Sequence, residues 1–402
     1  MRCLLARQLA ARAATAGLVV LVVACAPAAP PPAAPAAQPT TPPAAAAPAA
    51  AQPTAAAGAA AQPAASELAA LIEGAKKETV LKASWSSTGF GGGPALEDYV
   101  AGMNKKFGLN IKPQFTPGVD QQAMMAKIAQ EAAAGQPATS DVYLGNAPAA
   151  LDAQKNHVLR PTNWNALVER PLPKSDDFDP VAPDSSAVAF GSTLVGVTYN
   201  TDLVKGADIP HKLEDLMSPK WKGRIASTPY AAGFREFAAA NILGRERVIT
   251  FVKAFTNQVG GLIRCGEPDR LTSGEFVMLA MDCGGEDVIT GKEKGQPLDQ
   301  VILDDATLVH TRYGGVPVNS SAPNASALLI VYLLSPEGQA ALWKWNAIDL
   351  HVFPESHTKP MVDKVKAAGG KYGINSPQWL ATFPDFSAQQ KEISDILQQA
   401  GH

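Results

Sequence analysis

The stretch "TVLKASWSSTGFGGGPALEDYVAGMNKKF", residues 79–107, decides the fold class of this protein. Its first seven residues, 79–85, are mostly apolar and predict a buried strand. A glycine-rich turn follows at residues 86–93, and residues 95–107 have the spacing of an amphipathic helix that Gly108 ends. The stretch is therefore one strand–loop–helix unit.

Similar units follow along the chain. Further strands are predicted at residues 109–115, 140–145, 186–200, 220–228, 261–265 and 276–282. Further helices are predicted at residues 67–78, 120–135, 148–158, 233–244, 245–260 and 325–345. Strands that alternate with helices predict an α/β protein whose mostly parallel sheets are covered by helices. Residues 67–402 exceed what one hydrophobic core usually serves, so two lobes are expected.

The first 24 residues predict a signal peptide. Three arginines precede the apolar run at residues 13–24, which is shorter than the ~20 residues needed to cross a bilayer. The run ends in "VVAC", residues 22–25, which resembles the lipobox of bacterial lipoproteins. The resemblance implies that Cys25 is lipidated and becomes the new N-terminus. Ordinary cleavage further along, with Cys25 discarded, is the alternative.

Residues 26–65 contain only Ala, Pro, Gln, Thr and Gly. Such a segment has almost no large apolar side chain to bury and many prolines that break helices, so it predicts a disordered stalk. Together with lipid on Cys25, it would tether the folded part to a membrane surface.

The charge balance argues against nucleic acid as a partner. Removal of residues 1–24 takes away three arginines and leaves 31 basic against 37 acidic residues, a net charge of −6. A surface of this kind also argues against a polybasic membrane patch.

Two cysteines, Cys265 and Cys283, remain in the predicted folded part. An oxidising exterior favours one disulfide between them, although their spacing alone does not establish that they are close enough to bond. The sequence is compatible with a disulfide between these cysteines and with two free thiols.

Two loops have the composition of an anion-binding site. Ser86, Ser87 and Thr88 lie between a strand and a helix start, where backbone amides are unpaired. Tyr230 and Arg235 have a similar place later in the chain, and an arginine can bind a carboxylate or phosphate with two hydrogen bonds. The alternatives are a plain flexible turn and a surface arginine paired with an acid.

The segment "MDCGGED", residues 281–287, follows an apolar run and contains three carboxylates. Asp282 and Glu286 are candidates for ligand contact because a strand is expected to end beside the ligand here. A glycine turn with solvated acids is the alternative. No zinc-ligand pattern, nucleophile elbow or recognisable Cys–His arrangement accompanies the segment, so neither a metal site, a cofactor nor an enzymatic activity is predicted.

Five further residues are candidates for the walls of a ligand site because each lies at or near a strand end or helix start. Each is equally compatible with core packing. They are Trp85, Asn146, Tyr199, Phe234 and Tyr313.

Three motifs in this order resemble family 1 extracellular solute-binding proteins of bacterial ABC importers, in the branch of iron(III), thiamine and phosphonate binders. They are "GVTYNTDLV" at residues 196–204, "LEDLMSPKWKGRIA" at residues 213–226 and "SAPNASALLIVYLLSPEGQAAL" at residues 321–342. The resemblance implies a two-lobed type II periplasmic-binding fold that closes on a small solute and presents it to permease subunits in the membrane.

The expected organisation follows from these motifs. It comprises a signal peptide at 1–24, a lipidated cysteine and stalk at 25–66, a first lobe at 67–197, a second lobe at 198–315, and a return segment with C-terminal helices at 316–402. We expect a monomeric, membrane-anchored lipoprotein on the periplasmic or cell-surface side.

One departure from the family pattern bears on the solute. The iron(III) binders that this chain resembles have adjacent tyrosines after a strand, where this chain has Gly284, Gly285 and Glu286. The resemblance therefore favours a small polar or anionic organic solute, such as a zwitterionic aminophosphonate. The alternatives are iron(III) or an iron chelate held without tyrosines, and a role in periplasmic ligand sensing.

Overall fold

The structure is a computed structural model that describes residues 61–383 and 385–399, with side chains from residue 66 onward. The predicted signal peptide, Cys25 and the stalk as far as residue 60 lie outside the described residues.

The first part of the chain forms strands and helices in alternation. They are α1 (Ala61–Ala75), β1 (Val80–Trp85), α2 (Gly92–Phe107), β2 (Lys112–Pro117), α3 (Gln121–Ala133), β3 (Tyr143–Asn146), α4 (Ala147–Asn156), α5 (Trp164–Leu167) and β4 (Ala187–Val195). Local chemistry sets several ends. Gly108 ends α2 at a φ of 66°, and the Asp120 carboxylate caps α3 by accepting the Ala123 N–H at 2.9 Å.

The middle of the chain builds a second sheet. Its elements are β5 (Val197–Asn200), β6 (Ile225–Ser227), α6 (Phe234–Phe237), α7 (Arg245–Phe255), β7 (Val259–Leu262), α8 (Asp269–Thr272), β8 (Met278–Ala280), α9 (Glu286–Glu293) and β9 (Leu298–Val301). The strand order is β7-β6-β8-β5-β9.

The chain then returns to the first sheet. The remaining elements are β10 (Thr307–Gly315), α10 (Pro323–Leu333), α11 (Pro336–Asn346), α12 (Lys359–Ala367), β11 (Tyr372–Ile374), α13 (Pro377–Leu380) and α14 (Phe386–Gln398). We call the part built on β1–β4, β10 and β11 lobe I, and the part built on β5–β9 lobe II.

The sheets are mixed, whereas the sequence predicts mostly parallel ones. The pairs β1–β2, β10–β11, β6–β7 and β6–β8 are parallel. The antiparallel pairs are β10–β3, β10–β4, β5–β8 and β5–β9. All four contain β5 or β10, the strands that begin just after the chain has passed from one lobe to the other. The reversal therefore follows from the crossovers, which the local pattern does not encode.

The crossover from lobe I to lobe II is short. Only Gly196 separates β4 from β5, and a Cβ atom at this residue would lie 2.5 Å from the carbonyl oxygen of Val301, the last residue of β9. The close approach requires glycine here. The outgoing and returning segments are thereby packed side by side.

Each lobe has a core of its own. Lobe I buries Trp85, Phe90, Phe190 and Tyr313 together with the apolar face of α10. The core of lobe II contains Phe234, Phe237, Phe251 and Phe255, whose rings pack together in part, and it also takes residues of the C-terminal α14. The last helix of the chain therefore completes lobe II. The exact lobe boundaries given by the sequence stay a prediction.

Two helices differ from expectation. The helix predicted at residues 325–345 is broken into α10 and α11, which meet at 82°. The break follows from Ser335, which caps α11 by accepting the Gly338 N–H at 3.2 Å, and from Pro336, which cannot continue α10. The helix predicted at residues 233–244 is reduced to α6, which ends at Phe237.

Among the described residues, no single helix has the length and apolar character of a membrane span. The bent pair of α10 and α11 passes that test by length and composition.

Candidate functional site

The loop after β1 places three hydroxyl groups at the start of α2. Ser86 is half-buried, and its Oγ accepts the N–H of Gly89 at 3.0 Å, so this hydroxyl stabilises its own turn. Ser87 and Thr88 are exposed. The structure thus leaves Ser87 and Thr88 as the accessible polar residues of this lobe I loop.

The lobe II loop that contains Gly266 contacts the lobe I loop that contains Thr88. A Cβ atom at Gly266 would lie 3.0 Å from the Cβ of Thr88, so the loop after β7 touches the loop after β1. The Gly266 N–H donates to Asp287 Oδ2 at 2.8 Å, which ties the same loop to the start of α9. The lobes therefore meet at the ends of their strands.

A disulfide joins the two lobe II loops that follow β7 and β8. Cys265 and Cys283 are bonded, with their Cα atoms 6.0 Å apart. The half-buried Tyr230 packs on this bridge, since its hydroxyl accepts the Cys265 N–H at 3.0 Å and lies 3.5 Å from Cys283 Sγ. Burial raises the pKa of Tyr230, which keeps the phenol protonated at neutral pH. Tyr230 is thus positioned by the disulfide.

Asp282 is held by donors of its own chain. Its carboxylate accepts the N–H of Gly196 at 3.0 Å, the Thr198 hydroxyl at 2.7 Å and the N–H of Gly284 at 3.0 Å. The Gln300 amide donates to it as well, at 2.8 Å. The side chain is buried and all its hydrogen bonds lie at the crossover between the lobes, so its observed role is to connect Gly196 to lobe II. Burial raises its pKa to about 6, against the lowering effect of these hydrogen bonds.

Five ionisable side chains gather where β10 passes lobe II, and we call them the interlobe polar cluster: Arg235, Glu236, Glu286, His310 and Arg312. Arg312 Nη2 donates to Glu286 Oε1 at 2.7 Å and to the Cys283 carbonyl at 3.1 Å, and its Nη1 lies 2.9 Å from ring nitrogens of His310. Arg235 Nη2 is 3.6 Å from Glu236 Oε1. Two guanidinium groups and two carboxylates therefore share a buried region.

Parts of this cluster are unpaired. Arg235 Nε and Glu236 Oε2 are buried without a hydrogen-bond partner among the described residues. Burial lowers the pKa of His310 well below its ordinary value, and the two guanidinium groups lower it further, so the imidazole is neutral at pH 7. Burial raises the pKa of Glu286, while Arg312 opposes that shift. A buried donor and a buried acceptor without partners are each costly unless another group binds to them.

The remaining predicted wall residues have structural contacts. Trp85, Phe234 and Tyr313 lie in the lobe cores, at most 2% exposed, and Tyr199 packs in the lobe II core. Asn146 caps α4, because its Oδ1 accepts the Ala149 N–H at 3.0 Å. The structure brings none of these five side chains into the interlobe polar cluster.

The comparisons with known proteins agree with this architecture. A family model described as "Bacterial extracellular solute-binding protein" matches residues 98–369, more than half of the chain. This protein belongs to that family.

The solute-binding protein is also similar to individual relatives. The Fe(3+)-binding periplasmic protein of Serratia marcescens is 23% identical over 328 residues, which cover 76% of this chain and 87% of the relative. A substrate-binding protein of an ABC transporter from Agrobacterium tumefaciens superposes with a TM-score of 0.62 at 16% identity, and the match covers 81% of this chain and 96% of that one. Iron-bound HitA from Pseudomonas aeruginosa superposes with a TM-score of 0.59 at 18% identity, covering 79% and 99%. The type II periplasmic-binding fold is thereby confirmed.

The solute-binding protein has Gly284 and Gly285 where the resemblance to iron(III) binders implied tyrosines, and both glycines have a positive φ. Gly284 has a φ of 126° and Gly285 a φ of 79°, and Cβ atoms there would lie 2.0 Å from Thr193 Oγ1 and 2.6 Å from Gln300 Oε1. A larger residue at Gly284 would collide with Thr193, and one at Gly285 would be strained by the positive φ and would displace the end of the Gln300 side chain. Among the described residues, no three His, Cys, Asp or Glu side chains are grouped so that they could hold a metal ion.

Sequence reasoning missed three members of the interlobe polar cluster: Glu236, His310 and Arg312. A signal for two of them exists in "TLVHTRYGG", residues 307–315, where His310 and Arg312 are two apart in an otherwise uncharged strand and so share one face. A charged side chain on a largely apolar strand is expected to be buried, and therefore to pair with an opposite charge or to bind a ligand.

Proposed function

We propose that this solute-binding protein captures a small polar organic solute with an acidic group and delivers it to the membrane permease of an ABC importer. The observation that carries this proposal is a pair of buried atoms in the interlobe polar cluster, Arg235 Nε and Glu236 Oε2, that have no hydrogen-bond partner among the described residues. A solute with both an anionic and a cationic group would satisfy both, as an aminophosphonate or an amino acid does.

The position of these atoms supports closure around the solute. Arg235 and Glu236 belong to α6 of lobe II, whereas Asn375, whose amide donates to Glu236 Oε1 at 3.4 Å, follows β11 of lobe I. A solute bound between them contacts both lobes and so stabilises the closed form relative to an open one. Ser87, Thr88 and Tyr230 are proposed as further contacts at the mouth of the cleft.

Of the predicted site residues, two carboxylates change role in this proposal. Asp282 uses its oxygens on Gly196, Thr198, Gly284 and Gln300, so we do not assign it to the solute. Glu286 is paired with Arg312 in the structure. Glu236 therefore takes the cationic end of the solute in the proposed complex.

Isothermal titration calorimetry with a solute panel tests the proposal. The panel contains aminophosphonates, amino acids, polyamines, thiamine and ferric citrate. We expect zwitterions with an acidic group to bind, and a Glu236→Gln variant to lose affinity for them. Tight binding of ferric citrate with failure of every amine would overturn it. Unchanged solute recovered after binding would support transport over an enzymatic role.

A ferric chelate is the second candidate ligand. It is favoured by the similarity to the Fe(3+)-binding periplasmic protein of Serratia marcescens. Because glycines occupy the expected tyrosine positions, such a ligand would have to bring most of its own donors, which is why ferric citrate belongs in the panel.

We propose in addition that the protein is a monomer attached to the membrane by lipid on Cys25, with residues 26–65 as its tether. The apolar run before Cys25 and the composition of the tether support this. A Cys25→Ser variant should move from the membrane fraction to the soluble fraction.

Solute-dependent stimulation of the permease ATPase would support delivery of the solute to the permease. Solute uptake that is unchanged after deletion of this protein would favour a sensing role.

A further inference from the structure

Arg312 is the most enclosed cation of the interlobe polar cluster. Its side chain is 6% exposed and belongs to β10, where the residue pairs with Asn146 of β3 and Gly191 of β4. The guanidinium is thus fixed by the central strand of lobe I. A planar guanidinium held in a buried position suits a carboxylate, phosphate or phosphonate group, because it offers parallel donors at a fixed spacing.

The partner of Arg312 comes from the opposite lobe. Glu286 begins α9 of lobe II, and its Oε1 accepts from Arg312 Nη2 at 2.7 Å. Its side chain is 19% exposed, so the pair is largely shielded from water. The carboxylate therefore sits against the guanidinium in the way that the acidic group of a bound molecule would.

Other ionisable groups lie near this pair. Arg235 lies close enough to His310 to influence it electrostatically, as Arg312 does, and Arg235 Nε is buried without a partner among the described residues. His310 adds no positive charge, but it lies beside Arg312 Nη1 at 2.9 Å. Arg312 thus contacts the imidazole directly, and among the described residues Glu286 is the carboxylate that pairs with Arg312.

We propose that Arg312 is the oxyanion-binding residue of the cleft and that Glu286 occupies it as an internal substitute for the solute. An incoming carboxylate, phosphate or phosphonate displaces Glu286 from Arg312, while Glu236 remains available for a cationic group of the same solute. This inference rests on the proposed function in one respect only, since it takes the space between the lobes as the place where the solute binds.

The internal substitute has a measurable consequence. A solute must compete with Glu286 for Arg312, so the chain carboxylate lowers the affinity of the protein for simple anions. Removal of the charge at residue 286 should therefore create an anion site that wild-type protein offers only weakly.

Calorimetric titration of inorganic phosphate, methylphosphonate and acetate into wild-type protein and Glu286→Gln tests this. The variant should bind at least one of these anions about tenfold or more tightly, the change that one charge-assisted hydrogen bond produces. Adding Arg312→Gln to Glu286→Gln should abolish the gain. Thermal unfolding of each variant establishes that it is folded before titration.

Two further variants keep the test decisive. Glu286→Asp is used if Glu286→Gln does not fold. It keeps the negative charge but moves it away from Arg312 by one methylene, so we expect a folded protein with a smaller gain in anion affinity. Glu355→Gln is the matched control, because Glu355 pairs with Arg170, another largely buried arginine, in lobe I. An equal gain in Glu355→Gln, or no gain in either Glu286 variant, would overturn the inference.

The outcome can be separated from that of the proposed function. Wild-type protein that binds a zwitterion of the solute panel, with no anion gain in the Glu286 variants, refutes the inference and leaves the proposed function standing. A gain in anion affinity while wild-type protein binds no member of that panel supports the oxyanion site and counts against the proposed solute class.

Discussion

Thr88 of lobe I and Gly266 of lobe II meet so closely that a Cβ atom on Gly266 would lie 3.0 Å from the Cβ of Thr88. Gly266 also has a φ of 84°, a conformation that residues with a side chain rarely adopt. The approach of the two loops therefore depends on the absence of a side chain at this position.

We expect Gly266→Ala to weaken solute binding by disfavouring closure. The added methyl group would crowd Thr88 wherever the two loops meet as they do here, at a cost of about 1–3 kcal/mol, which corresponds to about tenfold or more in affinity if solute binding needs this contact. Calorimetry with the best solute of the panel measures the affinity, and small-angle scattering measures the shift towards an open form.

Gly244→Ala is the matched control for that variant. Gly244 has the same φ of 84°, but a Cβ atom there would meet nothing within 4 Å. Both variants place alanine at the same positive φ, and only Gly266→Ala adds an interlobe contact. An equal loss of affinity in the two would contradict the role of the Thr88 contact.

We expect Gly284→Ala to lower the free energy of unfolding by more than the strain of alanine at a positive φ would. A Cβ atom at Gly284 would lie 2.0 Å from Thr193 Oγ1, and the φ of 126° is unfavourable for alanine. Overpacking and strain together should reduce the free energy of unfolding by about 2–4 kcal/mol. Gly295→Ala, with a φ of 71° and nothing within 4 Å, should cost only about 1 kcal/mol. Denaturant unfolding of both variants checks this, and equal losses would show that the Thr193 contact is unimportant.

The alternation of strands and helices was sufficient to predict the α/β class and its helix-covered sheets, because periodicity is a local property of the sequence. The antiparallel direction of β5 and β10 could not be predicted in this way, because it is decided by where the chain crosses between the lobes. Near Asp282 the limit is similar: its donors Gly196 and Gln300 are 86 and 18 residues away in the chain, and no local pattern reveals that they converge.

The candidate site was predictable in part for the same reason. Arg235 and Glu286 lie after strands, as expected of ligand-contacting residues, and both join the interlobe polar cluster. Arg312 lies within a strand, where apolar neighbours obscure its role, and it becomes visible as a partner of Glu286 only when the two lobes are brought together.

Asp282 should make the protein more stable in mild acid. Its pKa is raised from 3.8 to about 6 in the folded protein, so the native state binds a proton more tightly than the unfolded state does. The resulting stabilisation is complete below the unfolded pKa and is lost as the pH rises through about 6. A shift of this size corresponds to roughly 3 kcal/mol.

Denaturant unfolding of wild-type protein and Asp282→Asn between about pH 4 and pH 7 measures this effect. The amide side chain of the variant would not titrate, so the stability advantage of the wild type over the variant should shrink as the pH rises across this range. Parallel stability curves for the two proteins would show that Asp282 titrates at its ordinary pKa. A carbon-13 NMR titration of the Asp282 carboxyl provides an independent reading.

The Cys265–Cys283 disulfide should contribute both to stability and to the solute site. The two cysteines are 18 residues apart, and closing a loop of this size stabilises a fold by about 3 kcal/mol through restriction of the unfolded chain. The bridge also positions Tyr230, whose hydroxyl accepts the Cys265 N–H. Loss of the bridge should therefore lower the midpoint of denaturant unfolding and weaken solute binding.

The double variant Cys265→Ala, Cys283→Ala separates the bridge from general effects of a reducing agent. Reductant should lower the unfolding midpoint of the wild type to near that of the double variant and leave the variant itself unchanged. Tyr230→Phe in the oxidised protein should keep most of the stability and lose part of the solute affinity, because the ring stays packed while its hydroxyl is removed. A wild-type protein whose midpoint does not respond to complete reduction, verified by thiol titration, would show that the bridge is not a source of stability.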